Sequence, residues 1–225
     1  PAASDTSVLQ EVKVPDPELW SVDAPSLYRA VSTVRIGGRT VDRYETPFGI
    51  RFMRFDADQG FFLNGEPLKI LGVCLHHDLG CLGTAINRRA LERQLEILKE
   101  MGCNAIRTSH NPPAPELLEL CDRMGFLVQD EAFDMWRKRK SEYDYSRDFP
   151  EWYERDLTDH ILRDRNHPSV FMWSIGNEVY EQFDDVRADT LTLQQANVLL
   201  NVPRTARAAS GADSAFLSLI HISEP

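Results

Sequence analysis

The sequence lacks any apolar stretch long enough to span a bilayer, and it has no low-complexity tract. A membrane-spanning helix needs about 20 consecutive apolar residues, so we predict no membrane partner. Basic charge is also scarce, because 35 acidic side chains outnumber 25 basic ones among the 225 residues and give a formal net charge of −10. Nucleic acids and anionic membranes attract basic surfaces, so we expect no nucleic-acid partner. The one basic cluster, residues 137–140, is interpreted as a solvated loop.

Two further kinds of motif are missing. The four cysteines, Cys74, Cys81, Cys103 and Cys121, have no paired short spacing of the kind that makes a zinc site. Three of them fall inside or beside predicted helices and strands, which suits small buried side chains. No Gly-x-Gly-x-x-Gly or phosphate-binding loop follows a predicted strand, and this excludes a nucleotide-binding site.

The two ends of the chain are set apart from fold reasoning. Pro1 is not an initiator methionine, so we expect the natural start to lie upstream. Residues 217–225 (LSLIHISEP) continue no earlier pattern and match a translated sequencing adapter. We therefore expect the natural sequence to end near Phe216.

The first quarter of the chain has the pattern of β-structure. Apolar and polar residues alternate over 27–34 and again over 40–44, and Gly37-Gly38 between them is a hairpin turn signal. These strands are too few for a whole sandwich. We predict that residues 1–55 are the C-terminal part of an immunoglobulin-like β-sandwich domain, followed by a turn at Asn64-Gly65.

Strands and helices alternate from residue 68 onward. Strands are predicted at 68–73, 104–107, 126–129 and 170–174, and helices at 88–101, 115–124, 150–163 and within about 188–200. Four βα units in a row predict an α/β fold with a parallel sheet, either an open doubly wound sheet or part of a (β/α)8 barrel.

Polar residues that can do chemistry follow all four predicted strands. These pairs are His76 and His77, Arg107 and His110, Asp130 and Glu131, and Asn177 and Glu178. An open sheet concentrates its site at one switch point, whereas a barrel uses many strand ends around a ring. The pattern favours a barrel, with residues 56–216 as the first half of a TIM-barrel domain.

The residue types at these strand ends suit a neutral, polyhydroxylated substrate, which suggests a sugar. Glycoside hydrolysis needs one carboxylic acid to protonate the leaving oxygen and a second carboxylate across the bond. Residues 170–178 (VFMWSIGNE) place Asn177 and Glu178 at the end of a short apolar run that is typical of a buried parallel strand. Glu178 is therefore the candidate acid.

Two long segments resemble the signature regions of glycoside hydrolase family 2. They are residues 106–134 (IRTSHNPPAPELLELCDRMGFLVQDEAFD) and 163–178 (RDRNHPSVFMWSIGNE). Residues 17–28 (PELWSVDAPSLY) and 48–56 (FGIRFMRFD) resemble the end of the immunoglobulin-like domain that precedes the barrel of that family. The resemblance implies a retaining β-glycosidase that acts on a carbohydrate, most like a β-galactosidase, with β-glucuronidase or β-mannosidase as alternatives.

The resemblance also implies roles for single residues. Glu178 corresponds to the general acid/base and Asn177 to its sugar-contacting neighbour, while four others correspond to residues that line the sugar subsite: His76, Arg107, His110 and Glu131. Asp130 would either hold Arg107 or contact the sugar. Other roles are open for some of these residues. Arg107 and Glu131 could form an ion pair that never touches substrate. His77 could support the site from behind, and Trp173 could belong to the core.

One stretch departs from the metal-dependent β-galactosidases of that family. Those enzymes carry a glutamate and a histidine shortly after the third-strand Asp-Glu pair, whereas this chain has Met135 and Arg137 there. Neither residue is a ligand for a hard cation, so we expect no metal and no other cofactor.

Two alternatives and the assembly state stay open. A β-glucuronidase would need an added cation for the sugar carboxylate. A non-catalytic carbohydrate-binding or scaffold protein on a decayed barrel would be indicated by loss of the acid/base, but Glu178 is present. A homo-oligomeric full-length parent is compatible with the sequence.

Overall fold

A computed structural model describes residues 8–183, with only the backbone of Phe183. Within that range lie strands β1 (Tyr28–Ile36), β2 (Arg39–Phe48), β3 (Met53–Asp56), β4 (Gly60–Leu63), β5 (Glu66–Pro67), β6 (Gly72–His76), β7 (Ala105–Ser109), β8 (Leu127–Glu131) and β9 (Val170–Ser174), and helices α1 (Arg88–Glu100), α2 (Pro115–Met124) and α3 (Phe149–Asp164). Short 3₁₀ turns occur at Gly80–Leu82, Tyr145–Arg147 and Tyr180–Phe183. The helix predicted within 188–200 and the tail at 217–225 lie outside the described residues.

The hairpin predicted at Gly37-Gly38 is confirmed. Both glycines have positive φ, 57° and 81°, which is the backbone conformation that a tight hairpin turn needs. β1 and β2 pair antiparallel from Ile36↔Arg39 to Tyr28↔Phe48, so both strands are longer than the alternation indicated. The second predicted turn, at Asn64-Gly65, joins β4 to β5 in a separate three-stranded sheet.

The four strands from β6 to β9 form one parallel sheet in chain order. Local signals fix its helices: the Asn87 side chain caps α1 by accepting a hydrogen bond from Ala90 N at 3.0 Å, and Pro115 opens α2. α2 and β9 have the predicted bounds, and α1, α3, β7 and β8 differ from them by one or two residues. The α/β prediction with a parallel sheet is confirmed.

The first parallel strand lies further along the chain than its apolar run suggested. The prediction of 68–73 is wrong, because β6 starts at Gly72. Residues 68–71 instead connect β5 to β6, and Leu68 N donates to Phe61 O of β4 at 2.9 Å. His76 is consequently the last residue of the strand itself.

The two faces of the parallel sheet pack against different partners. Side chains of α1 and α2, including Leu95 and Leu118, pack with Val128 and Val170 on the outer face. On the inner face a second cluster brings Trp20, Val22, Phe61 and Leu63 against Ala105, Leu127 and Phe171. The inner face thus has an apolar floor at the amino ends of the strands and stays polar at their carboxyl ends.

The segment before the hairpin is fastened to the end of α2. Trp20 is fully buried, and its Nε1 donates to Asp122 O at 2.8 Å. Gly125 ends α2 with φ 71°, and a Cβ there would stand 2.2 Å from Val22 O. Only glycine satisfies both constraints. Between residues 8 and 183, no helix has the length and apolar character that a membrane span requires.

Candidate active site

The polar inner face at the carboxyl ends of β7, β8 and β9 is organised around Glu131. Alternation along each strand places Arg107, Glu131 and Ser174 on this face and sends their neighbours toward the helices. The Glu131 side chain has no exposed surface. Its Oε2 accepts hydrogen bonds from Arg107 Nε at 2.9 Å and Ser174 Oγ at 2.6 Å, and its Oε1 lies 2.7 Å from His110 Nδ1.

Glu131, which was expected to line the sugar subsite, lies behind Arg107 and His110 and is fully buried. The three polar side chains that enclose this carboxylate are oriented by it. Its main-chain N–H donates to Thr108 Oγ1 at 2.9 Å, which joins the end of β8 to β7. The alternative of an internal ion pair with Arg107 therefore describes Glu131 well.

Arg107 joins this ion pair to the end of β9. Its Nη2 lies 2.7 Å from Glu131 Oε2 and donates to Asn177 Oδ1 at 2.9 Å. Burial opposes the charge of Arg107, but the hydrogen bond and the charge of Glu131 outweigh it, so the pKa of Arg107 is raised. Its side chain remains 27% exposed. Arg107 can thus hold Asn177 and still donate to a ligand.

His76 and His77 have different partners. The rings of His76 and His110 meet edge to face with centroids 5.1 Å apart, so His76 borders the cluster. His77 points elsewhere, and its Nε2 lies 3.2 Å from Thr84 O.

The cysteines differ in exposure. Cys74 lies on the same face of β6 as His76, is exposed, and has its Sγ 3.8 Å from Arg107 Nη1. Cys121 is buried.

Asp134 and Lys140 belong to the site, although neither was singled out from the sequence. Asp134 Oδ1 accepts hydrogen bonds from Asn177 Nδ2 at 2.9 Å and from Lys140 Nζ at 2.9 Å. Partial burial tends to raise the pKa of Asp134, but these two hydrogen bonds and the Lys140 charge lower it below its ordinary value. The interpretation of 137–140 as a solvated loop is wrong for Lys140, whose side chain is only 14% exposed.

Glu178 lies at the open rim of this cluster. Its side chain is 74% exposed, and Oε2 is 4.0 Å from Lys140 Nζ. Its φ of 43° is left-handed, a conformation that residues other than glycine adopt rarely and that often marks a functional constraint. The acid/base candidate is thus accessible, with a cation beside it.

Asp130 does not join the cluster, which corrects the expectation that it holds Arg107 or contacts sugar. Its side chain is fully buried on the helix-facing side of β8, where Oδ1 lies 2.8 Å from His160 Nε2 of α3. One residue earlier or later on a strand points to the opposite face, and Glu131 takes the inner position. Trp173 packs on the same outer face, with its ring 5.3 Å from that of His160, as a core residue.

A group suited to a metal ion occurs on this outer face. Asp130, His160 and Asp164 have ligand atoms within 4.8 Å of one another. They are explained as an ion-pair network, because His160 Nε2 lies between the two carboxylates and Arg163 donates twice to Asp164 at 2.6 Å. Near the rim of the site, Met135 is buried. The main-chain N–H of Arg137 donates to Glu181 at 2.7 Å. The side chains of Met135 and Arg137 do not suit a hard cation.

The loop after β8 is held against the end of β9 by buried contacts. Trp136 Nε1 donates to Ile175 O at 2.7 Å, and Glu181 Oε1 accepts from Lys138 N at 2.9 Å. Trp136 and Ile175 share a core cluster with Phe149 of α3. These contacts keep Asp134 and Lys140 close to Asn177.

The site can both donate a proton and bind hydroxyl groups. Its accessible carboxylate lies at the carboxyl ends of parallel strands, beside an amide, a guanidinium and two imidazoles.

Comparison with known proteins supports a sugar-cleaving site. Residues 56–202 match the family model described as "Glycosyl hydrolases family 2, TIM barrel domain", and residues 2–51 match "Glycosyl hydrolases family 2". The fold and the site thus define a TIM-barrel domain of the glycoside hydrolase class. The chain belongs to glycoside hydrolase family 2.

Three relatives show how far the likeness extends. The chain is 64% identical to the β-galactosidase BoGH2A of Bacteroides ovatus over 89% of this chain and 24% of that protein. A solved structure of a family 2 member from Bacteroides cellulosilyticus superposes with a TM-score of 0.78 at 44% identity, covering 84% of this chain and 24% of that one. The β-glucuronidase structure of Parabacteroides merdae gives 0.66 at 32% identity, over 76% and 21%. The chain therefore spans about a quarter of the length of these relatives or less.

Proposed function

We propose that this chain is part of a retaining β-galactosidase in which Glu178 is the general acid/base. Glu178 would protonate the leaving oxygen while a second carboxylate forms a glycosyl-enzyme ester, and would then take a proton from the water that releases the sugar. The observation that supports this most is the accessible Glu178 carboxylate at the end of β9 beside the Arg107–Glu131 pair.

The contacts to the sugar are proposed on the basis of exposure. Arg107 and His110 keep 27% and 21% of their side chains exposed, and His76 borders His110. Together with Asn177, they offer hydrogen bonds to hydroxyl groups. Glu131 holds Arg107 and His110 from below.

We also propose the domain boundaries 1–55 and 56–216, with 217–225 as a non-native tail.

A neutral sugar fits these residues better than an acid sugar, although a β-glucuronidase is among the similar structures. A uronic acid needs a cation that is available to its carboxylate. Among residues 8–183, the charges of both cations in the cluster are already neutralised, Arg107 by Glu131 and Lys140 by Asp134, so the exposed part of Arg107 suits a neutral hydroxyl group. The 64% identity to a β-galactosidase over 89% of this chain also supports galactose over glucuronic acid.

A chimera tests the proposal in a complete enzyme. Residues 15–182 of this chain replace the matching segment of BoGH2A, and its folding is checked by circular dichroism and cooperative melting. We expect hydrolysis of aryl β-galactosides in preference to aryl β-glucuronides. Glu178→Gln should lower kcat/KM about 10² to 10⁴-fold for poor leaving groups, less for good ones, and azide should partly restore turnover of the latter.

Two results would count against this function. A chimera that folds but cleaves no aryl β-galactoside would contradict the assignment of activity. Equal losses for good and poor leaving groups on Glu178→Gln, without rescue by azide, would give Glu178 a different role.

A further inference from the structure

Lys140 makes three hydrogen bonds at the rim of the site. Its Nζ donates to Asp134 O at 2.7 Å, to Asp134 Oδ1 at 2.9 Å and to Asn177 O at 2.7 Å. An ammonium has three N–H donors, and all three are used. The group therefore sits at a fixed point between the loop after β8 and the end of β9.

The chain around Lys140 is folded so as to bring it there. Asp144 Oδ2 accepts from the main-chain N–H groups of Lys140 and Ser141, at 2.5 and 2.8 Å. This turn directs the lysine side chain back toward the sheet. The ammonium also lies over the Tyr180 ring, with Nζ 5.8 Å from the ring centroid.

The position of Lys140 bears directly on the acid/base candidate. The carbonyl that it binds belongs to Asn177, the residue before Glu178, and Nζ is 4.0 Å from Glu178 Oε2. Glu178 has the left-handed φ of 43°, and such a backbone persists where surrounding contacts over-determine it. The bond from Lys140 to Asn177 O is such a contact.

We propose that Lys140 is a positioning residue for proton transfer by Glu178, a role that rests on the proposed function. Its ammonium fixes the backbone from which Glu178 projects and places a positive charge beside the carboxylate. The side-chain amide of Asn177 is held at the same time, because Asp134 accepts from both Asn177 Nδ2 and Lys140 Nζ. One cation thus orients the acid/base and its neighbour together.

The test uses the chimera and a series of aryl β-galactosides whose leaving groups range from poor to good. Lys140→Met keeps the length of the side chain but removes its positive charge and its hydrogen-bond donors. Lys140→Arg keeps the positive charge and the donors. The adjacent, exposed Arg139 supplies the matched control, Arg139→Met. Because misplacement of a catalytic group by about 1 Å can cost about 10² in rate, Lys140→Met should lower kcat/KM about 100-fold for poor leaving groups.

The leaving-group dependence separates this role from a general loss of structure. Good leaving groups need little protonation, so their kcat/KM should fall less than about tenfold. Lys140→Arg should recover much of the loss, and Arg139→Met should match the unsubstituted chimera. An equal factor of loss for all leaving groups, or a full-rate Lys140→Met, would overturn the role of Lys140. Inactivity of the folded, unsubstituted chimera would instead overturn the proposed function.

Discussion

The Glu131 side chain is a buried carboxylate whose polar partners lie at the candidate site. Burying an ionised carboxylate is costly unless it is paired and hydrogen-bonded. Glu131 meets this condition through Arg107 on β7, His110 directly after β7 and Ser174 on β9. The same contacts that make its burial tolerable fix the orientation of the exposed parts of Arg107 and His110.

Glu131→Gln is predicted to weaken substrate binding and catalysis in the chimera while the protein still folds. An amide keeps the shape of the side chain, but its NH₂ group would face donors, and an unsatisfied buried group costs about 1 to 3 kcal/mol. We expect a lower Tm and a fall in kcat/KM of about 10² through misplaced Arg107.

Melting curves and kinetics with an aryl β-galactoside would measure both effects. Glu100→Gln, at the exposed end of α1, is the matched control and should change neither quantity. A Glu131→Gln protein with unaltered Tm and kcat/KM would mean that the buried ion pair positions nothing.

Helix α3 and strand β8 are joined by a buried charge network on the side of the sheet away from the site. His160 Nε2 lies 2.8 Å from Asp130 Oδ1 and 3.3 Å from Asp164 Oδ2. Burial tends to lower the pKa of His160, but the two carboxylates outweigh it and raise its pKa from 6.5 to about 9. The protonated imidazolium therefore attaches α3 to the sheet at neutral pH.

This network predicts a pH dependence of stability. A group whose pKa is raised by folding stabilises the folded state fully below its unfolded pKa, here 6.5, and the contribution disappears as the pH rises through about 9. The shift corresponds to about 3 kcal/mol at most. The Tm difference between the unsubstituted and the His160→Gln chimera should thus be large at pH 6 and small at pH 9.5.

Thermal melts at pH 6 and pH 9.5 would measure the Tm difference between the unsubstituted and the His160→Gln chimera. His77→Gln removes an exposed histidine that lies outside this network, with its Nε2 3.2 Å from Thr84 O, and serves as the control. A His160→Gln difference that stayed constant from pH 6 to 9.5 would show that His160 is not charged in the folded protein.

At the scale of the whole molecule, the described parallel sheet has four strands, with β6 and β9 at its edges. A (β/α)8 barrel closes with eight strands and leaves no edge. Retaining hydrolysis also needs a second carboxylate about 5 to 5.5 Å from the acid/base; the resemblance to glycoside hydrolase family 2 implies that this nucleophile follows a later, seventh strand of the barrel.

Residues 1–216 expressed alone are therefore predicted not to hydrolyse glycosides, although they carry Glu178. Within residues 8–183, β6 and β9 each pair on one side only, and such unpaired strand edges should also lower solubility. An assay with an aryl β-galactoside, run beside the chimera, would measure the difference. Turnover by the purified fragment above the uncatalysed rate, beyond what contamination explains, would refute the prediction.

Local physics determined much of this fold from the sequence alone. Gly37-Gly38 required a tight turn, Asn87 and Pro115 began helices, and the apolar run Val170–Ser174 was a buried strand, as the structure confirms. Strand ends also brought Arg107, His110 and Asn177 together, because carboxyl ends of parallel strands meet at one edge.

Tertiary structure alone decided which of these polar groups are partners. Whether Asp130 or Glu131 met Arg107 depended on which face of β8 each side chain occupied, and a shift of one residue reverses that choice. Lys140 looked like part of a solvated basic run, yet its ammonium binds Asn177 O, 37 residues further along the chain. No local pattern encodes such a contact, because it forms only when the loop after β8 packs against the end of β9.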